Sequence, residues 1–125
     1  MDSPLWRRLT ILGITRATRS GTVIAPMCIT RPDYRDEIRA GIEARGIRVT
    51  EICLTATDAT LIARLTARRV DPASAEGGWV YPRAFAAAER HRSGGFGATI
   101  ETDLLDATAV TDQVLSLILL SSAAR

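Results

Sequence analysis

Apolar positions along this chain recur with two different periods. Residues 4–19 carry Leu5, Leu9 and Leu12 at helical spacing with Trp6 beside them, and Ser3 and Pro4 suit the start of a helix. Residues 33–45 give the clearest helix: Tyr34, Ile38 and Ile42 recur at i, i+4 and i+8, which predicts one buried face. Asp33 stands in the N-cap position, Asp36 and Glu37 suit the positive end of the helix dipole, and Gly46 is the expected C-terminal glycine. Asp58 is placed to cap a helix over 58–69 with Leu61, Ile62 and Leu65 facing inward. Residues 79–92 are expected to be helical after Pro82, and Asp106 caps a last helix whose stripe is Val110, Val114, Leu117 and Ile118.

Between these lie short runs of a different kind. Residues 22–29, TVIAPMCI, are almost continuously apolar, and their length and β-branched content predict a buried strand. Pro26 cannot donate to a ladder, so that strand is expected to end near it or lose a pairing there. A second strand is expected over 48–55 and a short third over 98–101. Residues 71–78, DPASAEGG, read as a loop, and SGGFG at 93–97 as a helix terminator. Strands alternating with helices imply parallel β-α-β units, hence an open α/β sheet in a single domain over 1–125.

Composition narrows the chemistry. The chain has 125 residues and a formal charge of +2, and all 16 cations are arginine. Without lysine there is no Schiff base, no lysine general base and no phosphate loop of the G-x-x-x-x-G-K-[ST] type. A charge of +2 with no arginine stripe interleaved with aromatics gives no case for nucleic acid. Cys28 and Cys53 both sit in apolar runs, which predicts two buried thiols in a reducing, cytoplasmic setting. The late apolar run 114–120 is too short to span a membrane, and the first ten residues lack a secretory apolar core. One histidine and two strand cysteines do not make a zinc site.

The segments PLWRRLT, VIAPMCI, YRDEIRAGIEARGIRVTEICLTAT, TLIARLTARR and FGATIETD, in that order, resemble a P-loop kinase-like NTPase. The likeness is to the tunicamycin-resistance ATP-binding protein family. It is carried by Pro26-Met27, by Leu54-Thr55-Ala56, by the arginines from Arg64 to Arg69, by Trp79 and by Thr102-Asp103. The resemblance implies a three-layer, mostly parallel sheet and an ATP-binding protein that takes ATP with Mg. Members begin with a strand and a phosphate loop, and this chain reads as starting downstream of both. Gly94-Gly95-Phe96-Gly97 precedes a strand, lacks lysine and reads as a turn. In such a fold the missing strand separates those expected at 22–29 and 48–55, which must then leave a gap or pair directly. The expectation is a protein inactive alone, or a non-catalytic interaction module completed by a partner chain carrying the phosphate loop, or by self-association.

Arg64, Arg68 and Arg69 are the leading candidates for function. Arg64 and Arg68 lie one turn apart, so both can reach one anion. By resemblance they are catalytic lid residues that neutralise a transferring phosphoryl group, with 71–78 as the mobile lid. The alternative is a solvated arginine face. Arg69, with Thr102 and Asp103 at the carboxyl end of the last strand, is assigned to the nucleotide. Asp33, Tyr34 and Arg35 could line a substrate pocket, with Arg31 a weaker anion candidate. Trp79 reads as a core anchor and His91 as a solvated residue. Asp103 and Asp106 form no paired-carboxylate motif, and no metal ligand is assigned.

Overall fold

Pro4 occupies the first turn of helix α1 (Pro4–Ala17), where its missing N–H costs nothing, and a 3-10 turn (Thr18–Ser20) ends at Gly21. A computed structural model describes residues 3–123. It is mixed α/β, with a single two-stranded parallel sheet among the described residues. The chain forms two compact units, one ending at Val49 and the other beginning at Thr50.

In the first unit α1 packs on α2 (Pro32–Glu43). The core is Ile11, Ile38 and Ile42, bordered by Trp6, Ile14, Ile29, Ile47 and Val49. The helical face of α2 is therefore the expected one. In α1 the opposite holds: Leu5, Leu9 and Leu12 are exposed, while Arg7 and Ile11 are turned inward. Arg7 can be buried because its guanidinium pairs with Glu37 and lies 4.0 Å from the Tyr34 ring centroid. The Arg31 guanidinium lies 4.1 Å from the same centroid. Arg31, not Asp33, is the N-cap residue of α2; Asp33 sits within the first turn and accepts from the Arg31 side chain. Gly46 ends the segment at φ 76°, a left-handed conformation that suits glycine.

The strand expected at 22–29 does not form. These residues take no regular secondary structure, Ile24 is 74% exposed, and Cys28 is exposed instead of buried. Pro26 removes one donor, and among the described residues this segment contributes no strand to a sheet. An apolar run becomes a strand only where a partner satisfies its backbone.

In the second unit β1 (Ile52–Thr55) pairs with β2 (Ala98–Glu101) in parallel, with Leu54 opposite Ile100. The expected second strand is thus trimmed to its last four residues. Between β1 and β2 run α3 (Asp58–Ala67) and α4 (Ala75–Arg92); α4 packs on α3 and on β1. Thr57, not Asp58, caps α3, accepting from Thr60 N–H through its hydroxyl. The expected loop at 71–78 shrinks to a tight turn, because Ser74 caps α4 by accepting from Gly77 N–H at 3.0 Å. Gly77 lies against the turn so closely that a Cβ there would fall 1.9 Å from Asp71 O. Pro82 sits inside α4. Buried Cys53, Ala56, Tyr81 and Ile100 form the small core of this unit. Asp106 precedes α5 (Ala107–Ala123) and accepts from Ala109 N–H at 2.8 Å, as its sequence position predicts. Val110, Val114, Leu117 and Ile118 of α5 are half-buried, while Leu115, Leu119 and Leu120 are exposed.

Candidate functional site

Both strands end at the same edge of the second unit, and their carboxyl ends carry a polar cluster. Thr102, the residue after β2, is only 5% exposed. Its N–H and its hydroxyl both donate to Thr55 O, at 2.9 and 2.8 Å. Arg64, projecting from α3, closes over it: one terminal nitrogen donates to the Thr102 hydroxyl oxygen and the other to Thr102 O, each at 3.0 Å. The fixed fork of a guanidinium suits this two-point contact.

Asp103 is held beside it. Its Oδ1 accepts from Thr60 Oγ1 at 2.6 Å, and from Thr57 N and Thr57 Oγ1 at 2.8 Å each. Thr57 is the N-cap of α3, so the carboxylate lies at the positive end of that helix. Hydrogen bonds from the Thr60 hydroxyl, then from the Thr57 N–H and hydroxyl, hold the Asp103 carboxyl down at about 2. Between β1 and α3, Arg92 from the end of α4 donates to Ala56 O at 2.7 Å and to Asp58 Oδ1 at 3.1 Å.

The structure thus brings Arg64, Thr102 and Asp103 together and uses all three to tie α3 to the strand ends. Arg68 and Arg69 lie further along, at the exposed carboxyl end of α3. Among the described residues neither side chain makes a hydrogen bond or ion pair. Arg69 takes φ 61° in a two-bond helix stop, with Arg69 N–H on Thr66 O and Val70 N–H on Leu65 O. This is the position where helices favour glycine, and an arginine there costs roughly 1–2 kcal/mol.

The other candidates disperse. The Arg31 guanidinium, at the head of α2, bonds to Asp33, and Arg35 to Asp36. The Arg31 hydrogen bond comes first among the causes that lower the Asp33 carboxyl below its ordinary value. Trp79 is 60% exposed, with the Arg83 guanidinium 4.3 Å from its ring, so it anchors no core. His91 is half-buried with its ring edge-on to Phe96, a contact that replaces the expected solvation. Burial raises the Cys53 thiol, which makes it a poor nucleophile. No group of three or more metal-ligating side chains occurs among the described residues. No helix there is long and apolar enough to cross a membrane.

Sequence reasoning missed Thr57, Thr60 and Arg92. The first two lie three residues apart, the spacing of a side-chain cap, a signal masked by the stronger capping candidate Asp58. Arg92 carries no local signal, since its contacts come from residues more than thirty positions away. Comparison with protein-family models, curated proteins and solved structures finds no match.

Proposed function

We propose that this chain is the carboxyl-side portion of an ATP-binding, P-loop kinase-like α/β protein, and that it does not act on ATP alone. The observation behind this reading is the parallel β1–β2 pair with Arg64, Thr102 and Asp103 gathered at its carboxyl ends. Ligands of open α/β sheets bind at that end. On this reading the three-layer sheet exists only in the completed protein, which takes Mg-ATP and either phosphorylates or sequesters a nucleoside-like compound. Two free cysteines accord with a cytoplasmic setting.

The residues present do not fit the phosphates of ATP. Gly94, Gly95 and Gly97 lead into β2 and not into a helix, and no lysine accompanies them. Arg64 is bonded to Thr102, and Asp103 to the cap of α3, so neither is poised for a nucleotide or a magnesium ion. Arg68 and Arg69 remain as exposed cations able to meet an anion. The expected result with Mg-ATP is therefore binding weaker than about 1 mM, or about 4 kcal/mol. No hydrolysis above a buffer blank is expected. Micromolar binding by the purified chain, or saturable hydrolysis removed by Arg64→Ala, would show that the site is complete and overturn this reading.

A second reading is a non-catalytic interaction module completed by a partner chain carrying the phosphate loop. It is favoured by the engagement of Arg64, Thr102 and Asp103 within the fold, together with a sheet of only two strands among the described residues. Light scattering on a size-exclusion column tests it against co-expressed candidates: a stable mixed complex supports it, and a monomer that binds nucleotide tightly counts against it.

A further inference from the structure

In the first unit α1 meets α2 through the side that carries Arg7, Ile11 and Ile14. At 3.6 residues per turn, Leu5, Leu9, Leu12 and Arg16 form a row on the opposite side. Their spacing is four, three and four, the seam of a helix that meets another helix. The three leucines are between 52% and 63% exposed, and Arg16 is exposed with them. Arg8 and Thr15 flank the row on one side, Trp6 and Gly13 on the other, and Trp6 packs against the α2 core, so the apolar row is narrow. The charge around it has one sign. α1 holds no acid, and residues 1–49 carry nine arginines against five acids. Each acid among the described residues of this unit already has an arginine: Glu37 has Arg7, Asp33 has Arg31, Asp36 has Arg35 and Glu43 has Arg39. Arg8, Arg16 and Arg19 are exposed and have no acid partner among the described residues.

We propose that the outer face of α1 docks an acidic amphipathic helix of another protein, antiparallel to α1, with apolar side chains on Leu5, Leu9 and Leu12 and carboxylates on Arg8, Arg16 and Arg19. It stands apart from both readings above, because it uses neither the β1–β2 pair nor Arg64. The spacing names the partner's conformation: a row that alternates four and three residues is matched by the same alternation on a second helix. The charge names its composition, since three exposed arginines without acids are complementary to carboxylates. The direction follows from where the arginines lie. Arg16 and Arg19 stand at the carboxyl end of α1, so the partner's acids gather there. Carboxylates stabilise a helix at its amino end, so the partner's amino end meets the carboxyl end of α1.

A second copy of this chain fits worse. Pairing two such faces sets Arg8 and Arg16 of one copy against the same cations of the other, with no acid on either α1. A lipid surface also fits worse than a helix. A helix lying in a membrane interface buries a broad apolar face, whereas a row at alternating four and three is the narrow seam of a helix pair. Arg16 stands in the row itself and not at its margin, where a partner's carboxylate can meet it directly.

Isothermal titration of the full chain tests the proposal, with an acetylated, amidated peptide of about eighteen residues as the probe. The peptide carries glutamates at the seam and flanking positions of its first two turns, then leucines at alternating four and three, with alanine and glutamine elsewhere. Saturable one-to-one binding is expected, at least about tenfold tighter than for the same peptide with lysine in place of glutamate. Arg16→Glu is expected to weaken the glutamate peptide about tenfold and to strengthen the lysine peptide. Leu9→Gln is expected to lose both peptides, and its melting curve should match that of the parent because Leu9 is exposed. Five results overturn the proposal. They are no saturable binding, equal affinity for the two peptides, undiminished affinity in both variants, a dimer in light scattering that Leu9→Gln dissolves, or sedimentation with phosphatidylglycerol vesicles that Leu9→Gln abolishes while the peptide fails to bind.

Discussion

Gly77 and Gly78 are adjacent in sequence and both lie in the first turns of α4, yet replacement by alanine should act in opposite directions. At Gly78 a Cβ meets nothing within 4 Å. Alanine there gains helix propensity, worth up to about 1 kcal/mol. At Gly77 the same methyl group falls 1.9 Å from Asp71 O, 2.7 Å from Asp71 C and 2.7 Å from Pro72 Cα. All three are backbone atoms, so no side chain can rotate away. The Asp71–Ser74 turn, held by Ser74 N–H on Asp71 O and by Ala73 N–H on Asp71 Oδ1, must open. The overpacking cost is about 1–3 kcal/mol, and more where backbone must move. Subtracting the propensity gain leaves Gly77→Ala destabilising by up to about 2 kcal/mol and Gly78→Ala neutral or stabilising by up to about 1 kcal/mol. Urea denaturation followed by far-ultraviolet circular dichroism measures both. An unfolding midpoint for Gly77→Ala equal to or above that of Gly78→Ala would refute the argument that the turn is seated on a bare backbone.

Further tests address the polar cluster and the helix stop. Arg64→Ala removes two hydrogen bonds to Thr102; because Arg64 is exposed, a loss of about 1 kcal/mol is expected, read as a lower urea midpoint. Arg64→Lys should restore less than half of it, since an ammonium lacks the fork. Asp103 is held below its ordinary value, so its contribution to stability is complete above about pH 4 and is lost as pH falls through about 2. Asp103→Asn should flatten the acid limb of a pH–melting curve in that window, and an unchanged limb would show that the threonine contacts do not form in solution. Arg69→Gly relieves the left-handed strain and should stabilise by about 0.5–1 kcal/mol after the glycine's larger entropy loss is counted. Equilibrium dialysis of the same variant against Mg-ATP reports whether Arg69 adds to weak anion binding.

What the sequence determined by itself are the features written within a few residues. The inward face of α2 follows from Ile38 and Ile42 at i, i+4, and the start of α5 from Asp106 ahead of an apolar stripe. The position of β2 follows from a β-branched run after a glycine turn, and the helix end at Gly46 from its freedom to take positive φ. Of the site, Thr102, Asp103 and Arg64 were legible as residues placed at the end of the last strand and one helix. Their task was not: whether an arginine points at solvent or at Thr102 depends on where α3 lies over the sheet. The tertiary structure alone decided the rest. Leu5, Leu9 and Leu12 form as regular a stripe as any in the chain, yet Arg7 and Ile11 face α2, because Tyr34 and Glu37 offer the arginine a partner. The run at 22–29 has strand composition yet takes no regular secondary structure, since hydrogen bonding between strands is not a property of one segment. Local pattern sets which conformations a segment can take at low cost. Only the arrangement of distant segments determines which backbone groups are satisfied, and here it pairs β1 with β2, more than forty residues further along the chain.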